Sequence, residues 1–206
     1  MCPPRRLPAA LALTGVLASF LAFGGAASAS LILALDMPTL VSRADNIAVV
    51  DVVSVKADWN PSHQRILTTV DLVVVDSWKG TAAPATHLQV VQPGGTAGDL
   101  TMTVDGMPPF VAGERALVFL RGRSDRASVV GMAQGKRIVR REPTSRRWMV
   151  RAPDRAGADF VRSKTAVGPP PVFETGDRPL AEVRAEVRAE VRAEVRAPSA
   201  TSGGVR

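Results

Sequence analysis

The chain of 206 residues has a single cysteine, Cys2, and no tyrosine. Cys2 lies inside a predicted export signal, so the mature chain would contain no thiol, no disulfide and no thiolate ligand for a metal. Because Cys2 precedes the apolar run of that signal, its position does not suit a lipid-modified cysteine. The mature protein would therefore depend on packing alone for its stability.

Histidine is equally scarce, since only His63 and His87 are present. The two are not at the helical spacing of metal ligands, and no calcium-loop or phosphate-loop pattern occurs. Ser62 adjoins His63, but neighbours in sequence do not supply the geometry of a nucleophile–base–acid triad. Asp71 and Asp76 fall on a predicted strand, where we interpret them as outward-facing solubilising groups. The sequence thus predicts no catalytic residue, no metal ligand and no cofactor, and it disfavours an enzyme.

Long apolar runs are limited to one, from Leu7 to Phe23. Two arginines precede it and the small residues Ala27-Ser28-Ala29 follow it, which is typical of an export signal with its cleavage site. Pro8 interrupts the run and no basic stop-transfer flank follows, which disfavours a membrane anchor. We predict that residues 1–29 are removed and that the mature protein is bacterial, periplasmic or secreted, with no stable membrane insertion.

Acidic residues are nearly absent from one segment of this basic chain, whose formal net charge is +7. Between Lys136 and Arg151 there are seven cations and one anion, Glu142. A tryptophan lies in the same segment, so charge and an aromatic face could together hold a polyanion. The alternative is an ordinary Arg-rich surface with that tryptophan turned into the core, which the usual burial of tryptophan favours. The candidate binding residues are Arg137, Arg140, Arg141, Arg146, Arg147 and Trp148.

Helical periodicity is lacking between residues 46 and 150, where short apolar segments are separated by turn residues. This pattern predicts an all-β domain over residues 30–152: a small Greek-key barrel of the oligomer-binding type, or alternatively a β-sandwich. A short helix is expected just before it, with Asp36 as N-cap and Pro38 in its first turn. The predicted strands are Ile47–Val55, Ile66–Trp78, His87–Val91, Leu100–Val104, Ala116–Leu120, Val129–Met132, Arg137–Arg140 and Trp148–Val150.

The C-terminal region lacks the large apolar residues of a second core. Residues 153–177 are rich in glycine and proline and are predicted to be a flexible linker, in which Val172-Phe173 could dock onto the barrel. The tetrad Ala-Glu-Val-Arg then repeats four times from Ala181 to Arg196. We interpret residues 178–197 as a frayed, exposed helix that arose by tandem duplication, and residues 198–206 as a disordered tail.

Five short motifs occur in order along the chain: Ala44-Asp45-Asn46-Ile47-Ala48-Val49-Val50, Trp78-Lys79-Gly80, Gln92-Pro93-Gly94-Gly95, Gly113-Glu114-Arg115-Ala116-Leu117-Val118-Phe119-Leu120 and Gly131-Met132-Ala133-Gln134-Gly135-Lys136. Together they resemble the motifs of a group of exported bacterial proteins of uncharacterised function. The likeness covers residues 38–150 and extends more loosely to netrin-like domains and tissue inhibitors of metalloproteinases.

The resemblance implies an oligomer-binding-type barrel and a binding role. The tissue inhibitors chelate a protease's zinc through an amino-terminal cysteine, whereas this mature chain would begin at Ser30 without one. That mode of inhibition is therefore not implied, and no functional residue is carried over.

Together these features predict an exported, monomeric binding or interaction module whose partner is a polyanion or a protein. A protease-associated or accessory domain in the periplasm is one alternative. A hydrolase with an unrecognised site is the other.

Overall fold

The computed structural model describes residues 30–154, 156–161 and 176–196. The predicted signal segment 1–29, the dipeptide Val172-Phe173 and the tail 198–206 lie outside them. The strands are β1 Ser30–Leu33, β2 Asn46–Trp59, β3 Ile66–Lys79, β4 His87–Pro93, β5 Gly95–Ala97, β6 Leu100–Met102, β7 Arg115–Arg123, β8 Arg126–Val129, β9 Lys136–Arg141, β10 Trp148–Val150, β11 Ala158–Val161 and β12 Arg178–Pro179. The helices are α1 Met37–Arg43 and α2 Leu180–Arg196, with a 3₁₀ turn at Met132–Gly135.

A partial barrel forms the centre of the molecule. Eight strands pair in the order β12-β10-β9-β7-β2-β3-β4-β8, and β7 also pairs with β8. Four strands of the ring β7-β2-β3-β4-β8 form a Greek key, because β2, β3 and β4 pair in sequence and β7 then returns to lie beside β2. Its last seam is short: β4 meets β8 through one parallel pair, Val90 with Ala127, and through the Gln89 N–H to the Ser124 carbonyl at 2.7 Å. The predicted all-β fold is confirmed, with a ring that is only partly closed.

The barrel interior is filled by the alternating apolar residues that the sequence displays. On β3, Val70, Leu72 and Val74 are buried while the residues between them are half-buried. Trp78 has the same parity but packs in a different cluster on the outer face of the sheet. Register irregularities between β2 and β3 change the face of the strand before Trp78. Sequence parity alone would have placed it inside.

A second core covers the outer face of the sheet. Strand β7 contributes to both cores, since Ala116 and Val118 face the barrel interior while Leu117 and Phe119 face outward. Helix α1, the short helix predicted before the barrel, covers part of that outer face with Leu40 and Val41. Its predicted N-cap is confirmed, because Asp36 accepts a hydrogen bond from the Thr39 N–H at 2.9 Å. No described helix is long and apolar enough to cross a membrane.

The repeat helix α2 completes the outer core, so the prediction of a frayed, exposed helix is wrong. Val183 and Val187 are 0% exposed and pack against the outer face, whereas Val195 is 82% exposed. Four residues overshoot a helical turn by about 40°, so equivalent valines rotate away from the sheet along the helix. Burial therefore declines along an identical repeat.

Ion pairs hold the same helix against the sheet. Arg184 donates to Asp76 at 2.9 Å and Lys79 donates to Glu194 at 2.7 Å. Asp76 is thus a docking residue for α2 and not the simple solubilising group that the sequence suggested. Asp71 likewise has partners, since it accepts hydrogen bonds from Ser54 and Gln89.

Three local predictions differ from the structure. Part of the predicted linker forms β11, which pairs in parallel with β1. The predicted strand Leu100–Val104 is only the three-residue β6, exposed in a small hairpin with β5, because its alternating residues meet no core. The predicted strand Val129–Met132 is largely absent, because β8 ends at Val129. Gly131, with φ 65°, then precedes the 3₁₀ turn Met132–Gly135 as its N-cap.

The repeat provides a matched test of burial. Val187→Ala should lower the free energy of unfolding by about 1.5 kcal/mol, because two buried carbons are lost. Val195→Ala makes the same change at an exposed site in another copy of the identical tetrad. It should leave the free energy of unfolding unchanged or raise it slightly, since alanine favours helix. Chemical denaturation of both variants measures the difference. Equal effects would contradict the docking of α2.

The Trp-Lys-Gly motif offers a second matched pair. Gly80 has φ 95°, and an added Cβ would lie 2.3 Å from Asn46 Oδ1 and 2.5 Å from the Asp45 carbonyl oxygen. Gly113 has φ 84° with open space around it. We expect Gly113→Ala to lower the free energy of unfolding by about 1–2 kcal/mol from its backbone angle alone. Gly80→Ala should lower it clearly more, because the neighbouring backbone must also move. Thermal unfolding of the two variants compares them directly.

Candidate functional site

The basic segment forms the antiparallel hairpin β9–β10, and strand alternation divides its arginines between two faces. Trp148 pairs with Arg141, and Met149 pairs with Arg140. Successive side chains on a strand point to opposite faces, so Arg141 and Trp148 share the outer face with the core residue Val139. Arg140 points to the other face. The six candidate residues therefore do not form one continuous surface.

Arg137 is placed inside the fold. It is 5% exposed and its guanidinium lies 6.0 Å from the ring centre of Phe119. Arg137 and Val139 are two residues apart on β9 and therefore face the same side of the sheet, which is covered by the outer core. Arg137 is thus not available to a ligand, contrary to the sequence-based assignment. Arg140 is exposed but forms an ion pair with Asp177.

Trp148 is neither buried in the core nor free. It is 39% exposed, and two guanidinium carbons lie over its ring, Arg115 at 4.9 Å and Arg141 at 6.0 Å from the centroid. Arg115 was missed by sequence reasoning because it comes from β7, more than thirty residues away in the chain. Only the pairing of β7 with β9 and of β9 with β10 brings it near Trp148.

A bidentate ion pair orients Arg115. Its Nε and Nη2 donate to the two carboxylate oxygens of Asp51 on β2, at 2.7 and 2.8 Å. Asp51 and Arg115 are also direct cross-strand partners. The hydrogen bond from Arg115 lowers the pKa of the Asp51 carboxyl below its ordinary value, and the same bond raises the pKa of Arg115. Both groups are therefore charged at neutral pH.

The hairpin turn holds two further cations in solvent. Arg146 has φ 58°, and its N–H donates to the Glu142 carbonyl at 2.9 Å. Arg141 Nε donates to the Arg146 carbonyl at 2.9 Å, which links the turn to the tryptophan. Among the described residues, the side chains of Arg146 and Arg147 have no acidic partner. We define the outer-face residues Arg115, Arg141 and Trp148, together with the adjoining turn residues Arg146 and Arg147, as the Arg–Trp surface.

The opposite face of the hairpin borders a cleft of about 550 Å³. Lys136 and Arg151 line it, together with Asp154 and Asp177. Lys136 is buried and its Nζ lies 2.6 Å from a carboxylate oxygen of Glu114. The cations of this cleft are thus accompanied by carboxylates, which distinguishes it from the Arg–Trp surface.

The two histidines lie elsewhere. His63 is in the turn between β2 and β3, where its ring is 6.1 Å from that of Trp59, and His87 is exposed at the start of β4. No group of three potential metal-ligating side chains occurs in the part of the chain that the structure describes.

No family model matches the chain, and no curated protein or solved structure is significantly similar to it. The resemblance to exported bacterial proteins and netrin-like domains therefore stays a prediction.

The Asp51–Arg115 pair predicts a specific pH dependence of stability. Because the pKa of Asp51 is lowered on folding, the pair stabilises the fold above about pH 4, and that contribution is lost as the pH falls through the folded-state pKa. Solvent screening of this partly exposed pair limits its contribution to about 1 kcal/mol. Asp51→Asn should thus lower the midpoint of thermal unfolding at neutral pH, with the difference from wild type shrinking below about pH 4.

The exposed Asp99, which has no bonding partner among the described residues, provides the control. Asp99→Asn should leave the midpoint unchanged across the same pH range. An Asp51→Asn effect that persists undiminished in acid would contradict a charge-based role.

Proposed function

We propose that this protein is an exported, non-enzymatic binding module that holds a polyanion on the Arg–Trp surface. The observation that carries the proposal is that two guanidinium groups, those of the half-buried Arg115 and the exposed Arg141, lie over the Trp148 ring beside the exposed turn cations Arg146 and Arg147. Cations held in defined positions attract an anionic chain more effectively than cations on freely moving side chains.

The local balance of charge supports this function. Arg141, Arg146 and Arg147 lie on one short hairpin, and the nearest acid in sequence, Glu142, is engaged by the hydroxyl of Ser145. Arg115 adds a fourth cation, which uses two of its five N–H groups on Asp51 and retains the others. An incoming oxyanion thus meets several donors that are not already bonded to a carboxylate.

Export of the mature chain remains part of the proposal and is supported by the apolar run and small-residue pattern of residues 1–29. Outside the cytoplasm, a basic surface of this kind would meet anionic polymers of the envelope or the medium. The partial barrel then serves as a rigid platform that fixes the positions of the cations.

The proposal predicts salt-sensitive binding. Mature protein should bind heparin, used as a general polyanion, at low ionic strength, with affinity that falls steeply as salt is added. The variant Arg141→Ser/Arg146→Ser/Arg147→Ser should lose about tenfold or more in affinity, and its dependence on salt should weaken by roughly one ion per lost contact. Isothermal titration at several salt concentrations measures both quantities.

A charge-matched control separates this surface from general basicity. Arg65, Arg121 and Arg126 are exposed, and their side chains have no acidic partner within the described ranges. Arg121 lies six residues beyond Arg115 on β7, about 20 Å away along the strand. Serine at these three positions removes the same charge and should reduce affinity only slightly. Equal losses in both variants, or no binding by wild type, would overturn the proposal.

A further inference from the structure

The chemical class of the polyanion follows from how Trp148 is used. An exposed tryptophan among arginines commonly offers a stacking face for the bases of single-stranded nucleic acid. Here the ring has other partners, because Arg115 and Arg141 lie over it at 4.9 and 6.0 Å. A base that stacked on the part of the ring covered by either group would have to displace that guanidinium group.

Displacing either guanidinium would break a second contact as well. Arg115 is held by both oxygens of Asp51, and Arg141 is bonded through Nε to the Arg146 carbonyl. Each arginine is therefore fixed at two points, by the indole ring on one side and by an oxygen acceptor on the other. The ring and the acceptors together restrict the rotamers of two long side chains, which would otherwise be costly to order on binding.

We infer that Trp148 is a positioning residue for Arg115 and Arg141, and that the surface recognises a polymer by its repeated oxyanion groups, without contacts to aromatic bases. The ligand class is an anionic glycan or a polyphosphate chain. Both present oxyanions to guanidinium groups, which bind such groups through parallel N–H donors. This inference rests on the proposed function and specifies its ligand.

The test compares polymers that differ only in their bases. A single strand of thymidine nucleotides about 20 residues long and an abasic strand of equal length carry the same phosphates. The two should bind wild type within about twofold of each other at low salt, whereas one stacked base would favour the thymidine strand by roughly five- to 150-fold. Heparin and polyphosphate, measured alongside, distinguish a sulfated glycan from a phosphate chain as the better ligand.

Variants of the ring test its positioning role. Trp148→Leu should weaken binding of the thymidine strand, the abasic strand, heparin and polyphosphate by the same factor, because the guanidinium groups lose their support. Trp148→Phe retains an aromatic face and should restore most of the affinity. Trp59→Leu, at the far end of β2, is the matched control and should not change binding. Circular dichroism and the unfolding midpoint show whether each variant is folded.

The outcomes distinguish failure of this inference from failure of the proposed polyanion-binding function. A thymidine strand that binds fivefold or more tightly than the abasic strand would overturn this inference and leave the proposed polyanion site in place. A Trp148→Leu effect confined to the thymidine strand would do the same. Failure of wild type to bind any of the four polymers would overturn the proposed function itself, and with it this inference.

Discussion

Burial of β7 on both faces is the constraint on which the rest of the structure depends. Ala116 and Val118 complete the interior of the partial barrel, while Leu117 and Phe119 emerge on its outside. Two large apolar side chains on an outer face require a covering layer, because leaving them in water would cost several kcal/mol. Helices α1 and α2 provide that layer, and the ion pairs Arg184–Asp76 and Lys79–Glu194 hold α2 against the sheet.

The repeat helix illustrates how position, and not composition, decides the role of a residue. Its tetrads are identical, yet Val183 and Val187 are core residues while Val195 lies in solvent. The four-residue period drifts around the helix by about 40° per repeat, so successive valines turn away from the sheet. The early tetrads therefore supply packing, and later ones supply surface charge such as Glu194, which pairs with Lys79.

Arg115, Arg141 and Trp148 of the Arg–Trp surface lie on the uncovered continuation of the same outer face. Along β7, Phe119 and Leu117 lie beneath the helices and Arg115 lies beyond them. The covering layer ends between Leu117 and Arg115, so the outward-facing residue of β7 changes there from apolar to cationic. Asp51 and Trp148 occupy the corresponding places on β2 and β10. The second core and the proposed binding surface are thus two parts of one sheet face.

The fold class, most strand positions and the N-cap of α1 could be predicted from local pattern, because alternation of apolar residues and helix capping are encoded within a few neighbouring residues. The sequence also located the basic hairpin. The burial of Arg137, the contact between Arg115 and Trp148 and the packing of the repeat helix into a core arise from long-range contacts that no local pattern encodes. Each of these outcomes depends on which strands become neighbours and where the covering layer ends, and those relations link residues far apart in the chain.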